Sequence, residues 1–217
     1  MASIAVIGGT GHLGKGIARR LAKAGHAVTI GSRAAEKATS IAAEMGLGTK
    51  GASNDEAAAG KDVVIVTVPY ENQEATLKQI RDMVGSAIVV DTTVPLVPPK
   101  VMRVQLPAAG SAAAEAREHL GPDIRFVTAF HNVAAHILDT DARVDCDVLV
   151  FSDDVEARNT VVALACDMEL RGLSGGALAN SAAAEAITSL LIYMNKTYKA
   201  DGAGIRFTGL TTAPAIP

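Results

Sequence analysis

Short apolar runs alternate with amphipathic stretches along most of the chain, and this alternation predicts strands and helices in turn. The apolar run at residues 4–7 is followed by Leu13, Ile17 and Leu21, which are spaced four apart and form one helical stripe. The longer apolar run at 62–69 is typical of a central parallel strand. The pattern favours an α/β protein with a Rossmann-type, doubly wound, mainly parallel sheet and a small C-terminal helical part.

The expected elements can be placed by residue number. Strands are expected at about 3–8, 27–32, 62–69, 87–91, 125–130, 147–151 and 204–207, with a weak edge element near 49–52. Helices are expected at about 12–24, 34–45, 72–84, 111–120, 154–168 and 180–199. Asn54, Asp55 and Glu56 are expected to cap a short helix before Gly60. Residues 106–114 are expected to form a surface excursion, and the last ten residues to be frayed.

Composition narrows the function classes. The chain has 217 residues, almost half of them apolar, which is enough for one full α/β domain with a sizeable core. Aromatic residues make up only 3% and the net charge is −3, which argues against a nucleic-acid partner. No signal-peptide pattern and no apolar run of about 18 residues is present, so we expect no membrane partner and a cytoplasmic location.

The sequence predicts no metal site and no disulfide. Cys146 and Cys166 are isolated and fit neither pattern, so we expect two reduced thiols. His131 and His136 have no third ligand at a usable spacing.

The first expected strand runs directly into a G-x-G-x-x-G turn made by Gly9, Thr10, Gly11, His12, Leu13 and Gly14. A helix that begins in such a turn offers backbone N–H groups and a partial positive charge to a diphosphate. Gly9 is expected to make the tight turn, Gly11 to let the backbone approach the pyrophosphate, and Gly14 to let the helix pack on the strand. Thr10 and His12 are expected to point towards the ligand. The turn therefore predicts a dinucleotide site.

The end of the second strand indicates which dinucleotide is bound. NAD-binding folds normally place an acidic residue there, to accept hydrogen bonds from the ribose 2′-hydroxyl. This chain has Ser32 and Arg33 at that point, and Lys37 follows four residues after Arg33, on the same helical face. A hydroxyl, a guanidinium and an ammonium group suit the 2′-phosphate of NADP. We therefore predict an NADP-dependent oxidoreductase.

The proton-transfer residues of short-chain dehydrogenases are missing. Those enzymes use T-G-x-x-x-G-x-G and Tyr-x-x-x-Lys, whereas Gly14 comes one residue too early and Tyr193 and Lys196 are three apart. The missing acid–base pair favours a partner that needs little proton help, such as a second hydride-carrying cofactor. Two alternatives stay open: an NADPH-dependent imine or keto reductase of the pyrroline-carboxylate-reductase kind, and a non-catalytic NADP sensor.

Several longer motifs carry a family resemblance. They are residues 7–16 (IGGTGHLGKG), 30–33 (IGSR) with Lys37, 66–70 (VTVPY), 110–113 (GSAA), 129–133 (AFHNV), 179–181 (ANS), 198–199 (YK) and 204–207 (GIRF). From Ile4 to about Phe207 the chain resembles the NADP-dependent oxidoreductases of the deazaflavin coenzyme F-420 (F420). The resemblance implies reversible hydride transfer between NADP(H) and the 8-hydroxy-5-deazaflavin ring of F420, the co-substrate. It also implies a homodimer, for which the apolar face of helix 180–199 is the candidate interface.

The resemblance also implies roles for individual residues. Residues 1–152 would be the NADP-binding Rossmann domain, and 153–217 would complete the deazaflavin pocket within one compact unit. The diphosphate and 2′-phosphate side would be held by Thr10, Ser32, Arg33 and Lys37. The rings would meet beside Pro69, His131, Asn132, Val133 and Thr188. Val94, Val133 and Leu96 are the expected apolar walls, and Val68 is a further cofactor-binding candidate. Arg103, Arg171 and Lys199 are the candidates for holding the anionic tail of F420.

Overall fold

The computed structural model describes residues 1–211, in which eight strands form one sheet flanked by helices. The strands are β1 (Ser3–Ile7), β2 (Ala27–Ser32), β3 (Lys50–Ser53), β4 (Val63–Val66), β5 (Ile88–Asp91), β6 (Arg125–Thr128), β7 (Asp147–Phe151) and β8 (Arg171–Gly176). The helices are α1 (His12–Lys23), α2 (Ala35–Met45), α3 (Asn54–Ala58), α4 (Gln73–Ile80), α5 (Ala112–Leu120), α6 (Ala135–Leu138), α7 (Val155–Asp167) and α8 (Ser181–Tyr198). Two 3-10 turns, Tyr70–Asn72 and Leu178–Asn180, precede α4 and α8.

The strand order is β3-β2-β1-β4-β5-β6-β7-β8. All neighbouring strands are parallel except β6 and β7, which pair antiparallel at Thr128 and Phe151. The first six strands follow the doubly wound order, in which the order of the strands reverses between β1 and β4. Such folds bind ligands at this point, beyond the carboxyl ends of the strands. The expected Rossmann-type, mainly parallel sheet is confirmed.

Both faces of the central strands are buried, because consecutive side chains of a strand point to opposite sides of the sheet. On one side Ile4 packs in a core that includes Ile17 and Leu21 of α1. On the other side Ala5 lies in a core that includes Leu77 of α4. The helical stripe expected on α1 is therefore core-facing.

Strand β8 was not anticipated, and the strand expected at 204–207 is wrong. β8 is rich in glycine, which disfavours strands in isolation. Here the glycines allow close packing: a Cβ at Gly172 would lie 2.7 Å from the carbonyl oxygen of Val162, and one at Gly175 would lie 2.1 Å from the ring of Phe151. The tertiary contacts thus specify β8 more strongly than its own residues do.

Residues 204–207 instead form an extended tail that is fixed to the start of β7 and to β8. The N–H of Asp147 donates to the carbonyl of Ile205 at 2.7 Å. The N–H of Phe207 donates to the carboxylate of Asp147 at 2.6 Å, and Arg171 donates to the carbonyl of Phe207 at 3.1 Å. The fraying expected for the last ten residues falls mostly on residues 212–217, which lie outside the described part of the chain.

Smaller boundary differences have local causes. Ser53, not Asn54, caps α3, through a capping box with Glu56. The excursion expected at 106–114 ends earlier, because Ser111 is buried and caps α5. In residues 1–211 no helix is both long and apolar enough to cross a bilayer.

Candidate active site

A groove of about 950 Å³ runs along the carboxyl ends of the parallel strands and collects nearly all of the predicted site residues. Of the predicted cofactor-binding residues, its lining includes Thr10, Gly11, His12, Leu13, Ser32, Arg33, Lys37, Val68, Pro69 and Val94. All four ring-positioning candidates, His131, Pro69, Val133 and Thr188, also line it. Gly9 and Gly14 lie behind the lining, inside the turn. The groove therefore places the predicted nucleotide and ring residues on one continuous surface.

The glycines of the turn differ in what surrounds them. A Cβ at Gly14 would lie 2.6 Å from both the Cα of Gly9 and the Oγ1 of Thr67, so only glycine lets α1 approach β4 this closely. A Cβ at Gly11 would meet nothing nearer than the carbonyl oxygen of Gly8, at 3.9 Å. The left-handed backbone of the turn is at Gly8, with φ of 74°, one residue before the glycine expected to make the turn.

The N-terminus of α1 is suited to an anion. No side chain caps it at Gly11, which leaves the first N–H groups of the helix directed at the groove. The open space beside Gly11 provides room for a diphosphate at the same place. His12 lies at the rim with its Nδ1 3.5 Å from the carboxylate of Asp139, so it is turned partly away from the groove. These residues fit the diphosphate of a dinucleotide.

The end of the groove beside β2 is cationic. Ser32 is buried, whereas Arg33 and Lys37 are exposed and both line the groove. Neither belongs to any of the ion pairs formed within residues 1–211. Two cations without a protein carboxylate beside them suit a ligand phosphate.

Asn54, Gln79 and Tyr70 also line the groove, although none of them was predicted to be a site residue. Asn54 is buried, its Oδ1 has no hydrogen-bond partner among the described residues, and its Nδ2 lies 3.5 Å from Gln79. The position of Asn54 directly after β3 was the available signal, since residues that follow parallel strands gather at one sheet edge. Tyr70 donates its hydroxyl to Glu115 at 2.7 Å, and burial together with this carboxylate raises the pKa of Tyr70 to about 12.

At the opposite end the chain turns sharply to present His131. Phe130 follows β6 with φ of 65°, a left-handed conformation that a bulky residue rarely adopts. Such strain persists only where the surroundings enforce it, and it is common at functional sites. Helix α8 provides that support, because Asn132 donates to the carbonyl of Ala184 at 2.8 Å and Thr188 Oγ1 lies 3.0 Å from the carbonyl of His131.

A buried polar network fixes the His131 ring from behind. Its Nε2 lies 3.4 Å from Ser181 Oγ, which donates to Glu185 at 3.1 Å and accepts from Thr128 at 2.9 Å. Glu185 in turn accepts the backbone N–H of Ala113 at 3.1 Å, at the N-terminus of α5. The network thereby joins the ring to three separate elements.

Two buried titratable groups lie at this end. Burial lowers the pKa of His131 to about 4, so the imidazole is neutral near pH 7. Burial raises the pKa of Asp91 to about 6, against the opposing effect of hydrogen bonds from Thr93 and Gln73. Asp91 is therefore still mostly ionised near pH 7, but it does not line the groove, so the lining of the ring end is neutral, in contrast to the cationic end.

Arg171, one of the three candidates for the anionic tail of F420, has other partners in the structure. It lies beside the buried Asp147, with Nε 3.6 Å from Oδ1, and it also holds the carbonyl of Phe207. Neither Arg171 nor Lys199 lines the groove. Arg103 belongs to the loop whose residues Leu96, Pro98 and Val101 do line it.

Comparison with known proteins gives consistent matches. Residues 3–95 match a family model described as coenzyme F420-dependent NADP oxidoreductase. The F420-dependent NADP reductase of Methanothermobacter thermautotrophicus is 40% identical over 95% of both chains. That of Methanocaldococcus jannaschii is 41% identical over 95% of this chain and 98% of its own. A crystal structure from Arthrobacter sp. FB24, described as an F420-dependent NADP reductase, has a TM-score of 0.84 at 23% identity and covers 96% of this chain and all of its own.

Proposed function

This chain belongs to the family of coenzyme F420-dependent NADP oxidoreductases, and we propose that it transfers hydride reversibly between NADP(H) and F420 in the groove along the sheet edge. The observation that carries the proposal is the groove itself. It has Arg33 and Lys37, which form no ion pair within residues 1–211, at one end and the neutral wall of Pro69, Val133 and Thr188 at the other.

The nucleotide is assigned to the cationic half of the groove. Arg33, Lys37 and Ser32 would hold the 2′-phosphate, and the N-terminus of α1 at Gly11 would hold the diphosphate. Val68 and Pro69, which follow β4 after Thr67, would support the nucleotide as it crosses towards the ring end. The absence of an acid after β2 is the reason for preferring NADP over NAD.

When bound together, the two cofactors supply the hydride donor and the hydride acceptor, so the task of the chain is alignment. Hydride transfer needs the reacting carbons at roughly 3–3.5 Å. Pro69, Val94 and Val133 would form the walls that hold the two rings and exclude water, with Leu96 beside them. The described lining contains no carboxylate, and its His131 is neutral near pH 7, which agrees with a reaction that needs little proton help from side chains.

We further propose that residues 1–152 form the NADP-binding part and that 153–217 complete the deazaflavin pocket. The support is that Thr188, on α8, reaches the lining and braces His131. Strand β8 of the second part pairs with β7 of the first part in the same sheet, which supports one compact unit.

We propose that the chain forms a homodimer through the apolar face of α8. Leu190, Tyr193, Met194 and Tyr198 are large apolar or aromatic residues of α8 that are all at least 36% exposed. Beside them is a second groove of about 660 Å³, with a mostly apolar lining that includes Phe207. A second copy of the chain would bury this surface. We also propose a cytoplasmic location, because Cys146 and Cys166 are free.

The test is reduction of oxidised F420 by NADPH, followed as loss of the visible absorbance of the deazaflavin. We expect rapid bleaching with NADPH and much slower bleaching with NADH. Reduction of cyclic imines without bleaching would favour an imine reductase instead. Tight NADPH binding without any turnover would favour an NADP sensor.

A further inference from the structure

The loop that follows β5 combines groove-lining residues with unpaired positive charge. Leu96, Pro98 and Val101 line the ring end of the groove. Lys100 and Arg103 lie between and after them, and both are exposed. No carboxylate occurs anywhere in residues 92–114, although the whole chain carries 23 acidic residues and a net charge of −3. The loop is therefore a local positive region in an acidic protein.

The two cations are held on one turn. The N–H of Arg103 donates to the carbonyl of Lys100 at 3.0 Å, so the side chains start from neighbouring points of the backbone. The Gln105 side chain fixes this turn by donating to the carbonyls of Val97, at 3.1 Å, and Lys100, at 3.2 Å. Neither Lys100 nor Arg103 belongs to any of the ion pairs formed within residues 1–211. A fixed turn with two free cations suits an anionic ligand.

The cations already assigned to the nucleotide lie at the other end of the groove. Arg33 and Lys37 follow β2, whereas Lys100 and Arg103 lie in the loop after β5, close in sequence to the groove-lining Pro98 and Val101. Arg171 is paired with Asp147, and Lys199 follows the end of α8 without lining the groove. A ligand that extends from the ring end towards solvent past Val101 would pass the turn of residues 100–103.

We propose that Lys100 and Arg103 bind the anionic tail of the deazaflavin coenzyme, which contains a phosphate diester and carboxylates. This inference rests on the proposed function, since it requires the deazaflavin ring to occupy the apolar end of the groove. Because both side chains are exposed, each ion pair with the tail should change the dissociation constant only a few-fold, and salt should weaken it.

The test compares the complete coenzyme with the deazaflavin riboside that lacks the phosphate and carboxylate tail. Dissociation constants are measured by titration calorimetry at low and at high salt, for the wild type and for Lys100→Ala/Arg103→Ala. We expect the double variant to bind the complete coenzyme roughly tenfold more weakly at low salt and the riboside equally well. The variant should also lose most of the salt dependence, while its affinity for NADPH stays unchanged.

Two control variants test whether the position of the two charges matters, and not only their number. Lys50→Ala/Arg143→Ala removes the same two charges at exposed sites outside the groove lining and should bind the complete coenzyme like the wild type. Lys100→Arg/Arg103→Lys keeps the charges and should do the same. Equal weakening of the riboside and the complete coenzyme, or equal effects of the two alanine pairs, overturns the tail assignment. A wild type that binds both deazaflavins but reduces neither with NADPH contradicts the proposed function, whereas the binding comparison still decides the tail site.

Discussion

The carboxylate of Glu185 on α8 accepts the backbone N–H of Ala112 at 2.7 Å, at the first residue of α5. Burial raises the pKa of Glu185, and the hydrogen bonds from Ala112, Ala113 and Ser181 oppose that shift. A buried acid at a helix N-terminus lies where the helix dipole favours negative charge. Through Ser181, the same carboxylate also supports His131.

Replacing Glu185 with Gln should therefore destabilise the protein. The amide would place an N–H group among backbone and hydroxyl donors, at a cost of about 1–3 kcal/mol in unfolding free energy. We also expect the Michaelis constant for F420 to rise more than that for NADPH. Denaturant unfolding and steady-state kinetics measure these effects, with Glu118→Gln, at an exposed site of α5, as the control. Equal stability of the two variants would contradict the capping role.

Alanine at Gly14 should lower stability, whereas alanine at Gly11 should weaken NADPH binding. Gly14→Ala introduces a Cβ 2.6 Å from Thr67 Oγ1 and should lower the unfolding free energy by about 1–3 kcal/mol. Gly11→Ala has room for its methyl group and should keep wild-type stability, but that methyl group would occupy space assigned to the diphosphate. Thermal unfolding and NADPH titration distinguish the two. Wild-type NADPH affinity in folded Gly11→Ala would place the diphosphate elsewhere.

Arg33→Ala should impair use of NADPH far more than use of NADH. Only NADPH loses a charge-assisted contact, which is worth about 1.5–3 kcal/mol. The comparison of the two Michaelis constants is the measurement, and Arg143→Ala, at an exposed arginine outside the groove lining, is the control. A similar loss with both cofactors would mean that Arg33 does not contact the 2′-phosphate.

His131 should make stability depend on pH. Its pKa is lowered from 6.5 to about 4, so the unfolded chain binds the proton more readily. The contribution of His131 is therefore fully present above about pH 6.5 and is lost as the pH falls towards 4. Asp91, with its raised pKa, changes in the opposite sense over part of this range, so the comparison must be with His131→Gln. The difference in unfolding free energy between the wild type and this variant should decline on acidification; a constant difference would refute the shift.

The proposed dimer predicts a change of mass for one substitution. Leu190→Asp places a charge on the exposed apolar face of α8 and should give a monomer in light scattering. Leu106→Asp, at another exposed leucine on the loop before α5, should leave the mass at that of the wild type. A wild type that is monomeric at every concentration would exclude the dimer.

The sequence predicted the nucleotide half of the fold more fully than the C-terminal half. Strands β1, β2, β4, β5 and β6 are apolar or end at recognisable motifs, whereas β3 was expected only as a weak edge element. The positions of Ser32 and Arg33 follow from the end of β2. Strand β8 could not be predicted from its own residues. Gly172 and Gly175 fit there because they pack closely against α7 and Phe151, and these contacts appear only in the folded chain. Propensity is a weak guide where packing of this kind decides.

Most of the site residues that were predicted lie at motif positions, and most of those that were missed do not. Thr10, Arg33 and Pro69 follow strands at motif positions, so the groove brings them together as expected. Asn54 and Gln79 belong to no such motif, and only the fold shows that they reach the same surface. Arg171 was a candidate by charge alone, and its proximity to Asp147 removes it.

The support that Thr188 gives to His131 has a consequence for synthesis on the ribosome, where chains emerge from the N-terminus. A nascent chain that has emerged as far as β6 already contains the glycine turn and both cations beside β2, but not the helix that steadies Phe130 and His131. The core that supports α1 also includes Val148 and Val161, which emerge after β6, and the ring end of the groove is finished only when α8 arrives. Both halves of the groove therefore depend on parts of the chain that are synthesised late.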